Sequence, residues 1–233
     1  EGRMIGRKTG AMTRRFAAAS VLILQTSSAT WADGAKASHG VSVFGDLKYP
    51  PGFTHFDYVN ADVPKGGEIK LQSVGTYETV NPFILKGRKE ELAALVFDTL
   101  MARAMDEPDA VYGLVAKSVE LSKDGSRIEF NLDARAKFHD DTPVTSADVV
   151  YSFETLVKEG HPRFRIIYRD VKKAEALGST KVRFVFKPGV HRDLPTRLAA
   201  LPVLSKAYYA KAKFNETTFI PPLGSGPYRI VKV

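Results

Sequence analysis

The sequence has no cysteine. That excludes a disulfide framework, a thiol nucleophile and a lipid-bearing cysteine, so an exported form has to be held together by its core alone. Also missing are a G-x-S-x-G elbow, a phosphate-binding glycine loop and two histidines one helical turn apart. Without them, the usual signatures of serine hydrolases, nucleotide enzymes and helix-borne zinc sites are absent. No apolar run approaches the length of a bilayer span. There is no basic face interleaved with aromatics, so nothing points to nucleic acid.

The excess of positive charge is local. The formal net charge is +8, but residues 1–32 hold five of the 34 basic residues and one of the 26 acidic ones. This leaves 29 against 25 for the remainder, a net +4. Within 1–32, Arg14 and Arg15 precede the apolar run "FAAASVLILQ" and a small-residue exit. This pattern is expected of a secretory signal peptide, with cleavage after Ala32 or Ala37. The pair Arg14-Arg15 lacks the longer flanking motif of twin-arginine export, so ordinary secretion is expected. A soluble mature chain from Asp33 onward, retained in the periplasm of a Gram-negative cell, follows from these features.

An apolar content of 44% over 233 residues suffices for one sizeable core or two small ones. The stretches "HGVSVFGDLKYP" and "HFDYVNADVPKGG" read as loops punctuated by proline and glycine. "GEIKLQSV", residues 67–74, alternates as a half-buried strand does. "KEELAALVFDTL", residues 89–100, sets Leu92, Leu95, Val96 and Leu100 on one helical stripe. "SVELS" and "RIEFNLD" alternate on either side of Asp124-Gly125 and predict a hairpin, and "KKAEALG" with "KVRFVFK" predicts a second. Short helices are expected over "DLPTRLAAL" and "SKAYYAKA", and a last strand over "RIVKV". The class is mixed α/β, with hairpins rather than parallel crossovers and no internal repeat.

One cluster looks chemical: His139, Asp140 and Asp141 stand side by side. A metal or acid/base site would need further ligands or a nucleophile, and His39, His55, His161 and His191 show no paired spacing with them. Directly after them Pro143 blocks an earlier helix start, Thr145 and Asp148 form a capping-box pattern, and Val149, Val150, Phe153, Leu156 and Val157 make an apolar stripe. The cluster therefore reads as a turn whose Asx side chains cap backbone groups.

"ARAKFHDDTPVTSADVVYSFETL" closely resembles the signature of the peptide/nickel class of bacterial extracellular solute-binding proteins, which serve ABC importers. "TVNPFIL", "VAKSVELSKDGSRIEFNL" and "PLGSGPYRIVKV" fit the same family in the expected order, so the resemblance covers about residues 39–233. "HGVSVFGDLKYP", "HFDYVNADVPKGG" and "DTLMARAMDEPDAVYGL" resemble more particularly the YejA-type subgroup, associated with peptides and peptide-like compounds such as microcin C. One departure is Asp141, where the family usually has glycine; aspartate tolerates a left-handed backbone better than most residues.

The resemblance implies a type II periplasmic binding protein-like fold, of which residues 33–233 would form the first lobe of two. It implies a peptide or peptide-like ligand, an inner-membrane ABC permease and ATPase as partners, no cofactor and no catalysis. In such a lobe ligand meets the residues after the first strand, here Val74, Gly75, Thr76, Tyr77 and Glu78. Glu78 is placed to meet a ligand amine. Asn81 and Pro82 read as turn formers, and Gly224, Gly226 and Pro227 as a turn near the hinge between lobes. The competing readings are an exported metal-dependent hydrolase or metal carrier built on His139, and a truncated product without function.

Overall fold

The computed structural model describes residues 36–64, 66 and 74–233. The expected signal peptide and nearly all of the strand over residues 67–74 lie outside the described residues; Val74, at the end of that window, is not in a strand. Two antiparallel sheets carry the architecture. The smaller joins β1 (Gly40–Ser42), β2 (Met101–Arg103) and β3 (Ala110–Gly113) in the order β1-β3-β2. The larger joins β4 (Ala116–Leu121), β5 (Arg127–Leu132), β6 (Val171–Ala176) and β7 (Lys181–Phe186) in the order β4-β5-β7-β6. Both hairpins expected from alternation are present.

The β4–β5 turn is fixed by Asp124, whose Oδ1 accepts from the Ser122 and Ser126 hydroxyls and the Ser126 N–H, while Gly125 takes φ +66°. Those bonds, that from Ser122 foremost, hold the Asp124 carboxyl down at about 2. Gly178, at φ +98°, turns β6 into β7. On one face of the large sheet Ile128, Phe130 and Leu132 stand beside Val182, Phe184 and Phe186, all buried. Helix α1 (Ser146–Glu159) covers this face with Val149, Phe153 and Leu156, and the Phe153 ring meets Phe184 edge-on at 5.6 Å. Each such side chain removed from water contributes roughly 1.5–3 kcal/mol. The opposite face is ionic: Glu129 accepts from Lys181 Nζ and Arg183 Nε, each at 2.6 Å, and Lys181 also reaches Glu120.

Helix α1 starts where the sequence places it. Thr145 accepts from the Asp148 N–H, and Asp148 Oδ2 accepts from the Thr145 N–H at 2.9 Å, completing the capping box. The other Asp148 oxygen accepts from the Lys206 N–H at 2.8 Å, so the same carboxylate also fixes the start of α4 (Lys206–Tyr209). Between them run α2 (Pro162–Ile167), not expected from the sequence, and α3 (Leu194–Ala199). A second cluster packs Tyr49, Phe53 and Phe56 onto Tyr112 of β3, anchoring the loop-rich segment before residue 60.

Two sequence expectations fail. Residues 89–100 are not an α-helix; only a 3₁₀ turn, Ala93–Val96, forms there, and Leu92 and Leu95 are exposed. The ends of the window are drawn into extended pairing instead. The Glu90 N–H donates to Thr79 O, the Leu100 N–H to Leu201 O and the Val203 N–H to Asp98 O, leaving too few residues for a helical ladder. "RIVKV" is not a strand either: it pairs with no strand among the described residues, and Val231 is 84% exposed while Ile230 alone leans on the core.

Candidate ligand-binding site

The segment after residue 74 meets two others that are distant in sequence. The Glu78 and Thr79 N–H groups both donate to Arg88 O, and Thr79 pairs with Lys89 in a parallel bridge. On the other side the Val80 N–H donates to Thr218 O at 2.8 Å and the Thr218 N–H to Thr79 Oγ1 at 3.1 Å. Beneath this junction lies Asn81, only 4% exposed. It donates to Phe214 O and accepts from the Phe83 N–H, so it is a buried tie as well as a turn former. The result is a ledge of three segments: residues 74–81, 86–90 and 217–220.

The sequence-expected residues behave differently from one another on this ledge. Val74 is 86% exposed. Gly75 has φ +93°, and a Cβ there would collide with the Arg88 guanidinium, 2.8 Å from Nη1. Thr76 Oγ1 accepts from Arg88 Nη2 at 2.7 Å. The Tyr77 ring lies 6.0 Å from that of Phe219, and both are exposed. Glu78 Oε2 accepts from the Arg88 N–H at 2.8 Å, so this exposed carboxylate also fixes the neighbouring loop. Sequence reasoning missed Arg88 and Phe219; nothing in their local patterns signals a site, because they are brought in by long-range pairing.

Of the three residues expected near a hinge, Gly224 and Gly226 pack apart from the ledge, against the 3₁₀ turn and His139. A Cβ on Gly224 or Gly226 would run into the backbone of the 3₁₀ turn, Val96 O and Leu95 O respectively. These glycines permit close backbone approach. The Gly226 N–H donates to Val96 O at 2.8 Å, the His139 N–H donates to Gly224 O at 2.8 Å, and His139 Nε2 bonds to Gly226 O at 2.8 Å. His139 thus clamps the segment that leads into Pro227, which is exposed. Asp140 Oδ1 accepts from the Thr142 N–H and hydroxyl, and Asp141 holds a left-handed backbone at φ +66°. The turn role of this trio, including the tolerance of aspartate at 141, is as expected. Asp98 faces the same region in a cavity lined by Leu114, Val115, Ala136 and Ser225, with Asp133, Arg135 and Lys137 on its walls. Burial pushes its carboxyl up to about 6, against the opposing pull of His139.

The family model described as bacterial extracellular solute-binding proteins, family 5 Middle, matches residues 110–233. The chain belongs to this family. Among family 5 relatives, the peptidoglycan-binding protein YepA of Agrobacterium fabrum is 41% identical over 205 residues, covering 84% of this chain and 33% of its own. The probable peptide-binding protein YejA of the same organism is 38% identical over 225 residues, covering 94% and 36%. YejA of Escherichia coli is 37% identical over 200 residues, covering 85% and 33%. The family 5 chain described here therefore spans about a third of the length of the relatives it matches. Its structure resembles NikZ of Campylobacter jejuni in complex with Ni(L-His), with a TM-score of 0.56 at 23% identity, over 68% of this chain and 32% of NikZ. It also resembles the oligopeptide-binding protein AppA of Bacillus subtilis in complex with a nonapeptide, with a TM-score of 0.53 at 20% identity, over 66% and 31%. The fold is that of type II periplasmic binding proteins, as the resemblance implied. No helix among the described residues is long and apolar enough to cross a membrane.

Proposed function

We propose that residues 33–233 are the first lobe of a periplasmic receptor that captures peptides or peptide-like compounds and delivers them to an inner-membrane ABC permease and ATPase. The observation that carries this reading is the ledge formed by Thr76–Glu78, Arg88 and Phe219. It presents exposed aromatic rings and a guanidinium on a backbone held by paired hydrogen bonds. An extended ligand recognised through its backbone and a few tolerant side-chain contacts suits such a surface. The names of two relatives, peptidoglycan-binding protein YepA and probable peptide-binding protein YejA, support ligands with peptide character. His139, engaged with Gly226 O, supports a scaffold role for its turn rather than a metal site. Gly224–Pro227 would then be the anchored base from which the chain passes towards the second lobe.

A half-cleft leaves ligand groups competing with water, so affinity is expected to need both lobes. Calorimetry with a mixed peptide panel, including peptidoglycan-derived peptides, on the full-length protein and on residues 33–233 tests this. Saturable binding is expected only for the full-length protein, recovered from the periplasmic fraction of a Gram-negative host. Absence of binding by the full-length protein would refute the receptor reading, and tight binding by 33–233 alone would refute the need for closure.

A further inference from the structure

We infer that Arg88 is a carboxylate-binding residue, so that the ledge selects peptides bearing an acidic group beside an apolar or aromatic side chain. This rests on the peptide-capture reading above and specifies its ligand. The backbone of Arg88 is fixed at both ends, its C=O accepting from the Glu78 and Thr79 N–H groups and its N–H donating to Glu78 Oε2. Its side chain lies back over Gly75, where the absence of a Cβ leaves room for the guanidinium, and Thr76 Oγ1 takes one of its N–H groups. A guanidinium carries five N–H donors in a planar fork suited to a carboxylate. Here one donor orients the group, and among the described residues no other is shown to be taken.

Among the described residues no carboxylate pairs with that guanidinium, although Glu78 lies beside it. One oxygen of the Glu78 carboxylate, Oε2, accepts from the Arg88 main-chain N–H, and the guanidinium instead donates to Thr76 Oγ1. Lys86 and Lys89, both exposed, flank the arginine, while Glu90, Glu91 and Glu78 offset most of the positive charge of the loop. The exposed Tyr77–Phe219 pair follows directly on Thr76, offering apolar ring surface next to the cationic group. An ordered arginine costs less side-chain entropy on binding than a free one.

The test uses the full-length protein and a panel of short peptides, each prepared as C-terminal acid and C-terminal amide, and each with Glu or Gln beside a Phe or Leu. Wild type is expected to prefer at least one acidic form over its neutral match by roughly ten- to hundredfold. The acid/amide arm and the Glu/Gln arm separate a terminal from a side-chain carboxylate. Arg88→Gln should abolish that preference, lowering the affinity for the acidic forms at least tenfold more than that for their neutral matches, and Arg88→Lys should retain part of it. Side-chain replacement spares the main-chain bonds of Arg88, and matched thermal unfolding of the variants verifies the fold. Equal affinity of wild type for acidic and neutral forms, or equal losses for both forms in Arg88→Gln, would overturn the assignment while the receptor reading stands. A wild type that binds no peptide at all would overturn both.

Discussion

Replacing Asp98 by asparagine should make the protein more stable at pH 8 and leave it unchanged at pH 4. The half-buried Asp98 carboxyl is pushed from its ordinary 3.8 up to about 6 by burial. Between those two values the folded state holds a proton that the unfolded chain has released, so stability falls as pH rises through about 4 to 6, and the full cost is present above that window. A rise of this size corresponds to at most about 3 kcal/mol. Asp98 keeps part of its contact with water, and screening reduces the figure to about 1–1.5 kcal/mol. Asparagine has nearly the same shape and no charge to bury. Urea unfolding of wild type and Asp98→Asn at pH 4 and pH 8 isolates the effect, because any pH-independent change in packing cancels between the two conditions. A difference that is the same at both pH values, or a variant less stable at pH 8 than at pH 4 relative to wild type, would refute the burial cost assigned to this carboxylate.

Thr145→Ala removes the side-chain half of the capping box and should lower stability by about 1 kcal/mol, readable by chemical denaturation, with ligand affinity unchanged. Gly224→Ala drives a methyl group into the Val96 carbonyl and should destabilise far more than Gly125→Ala, whose Cβ meets nothing within 4 Å and which carries only the strain of a positive φ. Comparing the two melting temperatures separates close backbone approach from conformational preference.

Elements stabilised by neighbours in sequence are readable from sequence. Helix α1 has its cap, its proline stop and its apolar stripe within about fifteen residues, and each hairpin carries its alternation and turn residues together. Residues 89–100 carry an equally good stripe, yet their backbone groups are claimed by Thr79 and by Leu201 and Val203, the last two about a hundred residues away. The same physics divides the proposed site. Thr76, Tyr77 and Glu78 could be named from their place after an alternating run, whereas Arg88 and Phe219 join them only through pairings formed in three dimensions. Gly224 and Gly226 are recognisable as special, but the partner that requires glycine there, the 3₁₀ turn, is itself the element the sequence misrepresents.

The bond from the Thr218 N–H to Thr79 Oγ1 spans 139 residues, and that from Asn81 Nδ2 to Phe214 O spans 133. The hairpins and α1, by contrast, close over short stretches. A chain that enters its folding compartment from the N-terminus can therefore complete most of the large sheet and its helix while the ledge still has only one of its outer strips. Asn81 and Thr79 must wait, with their polar groups in water, until residues 214–218 emerge. The proposed ligand surface is thus among the last parts of this chain to acquire its form, and a chain halted before Phe214 would be a nearly finished scaffold whose ledge lacks one side.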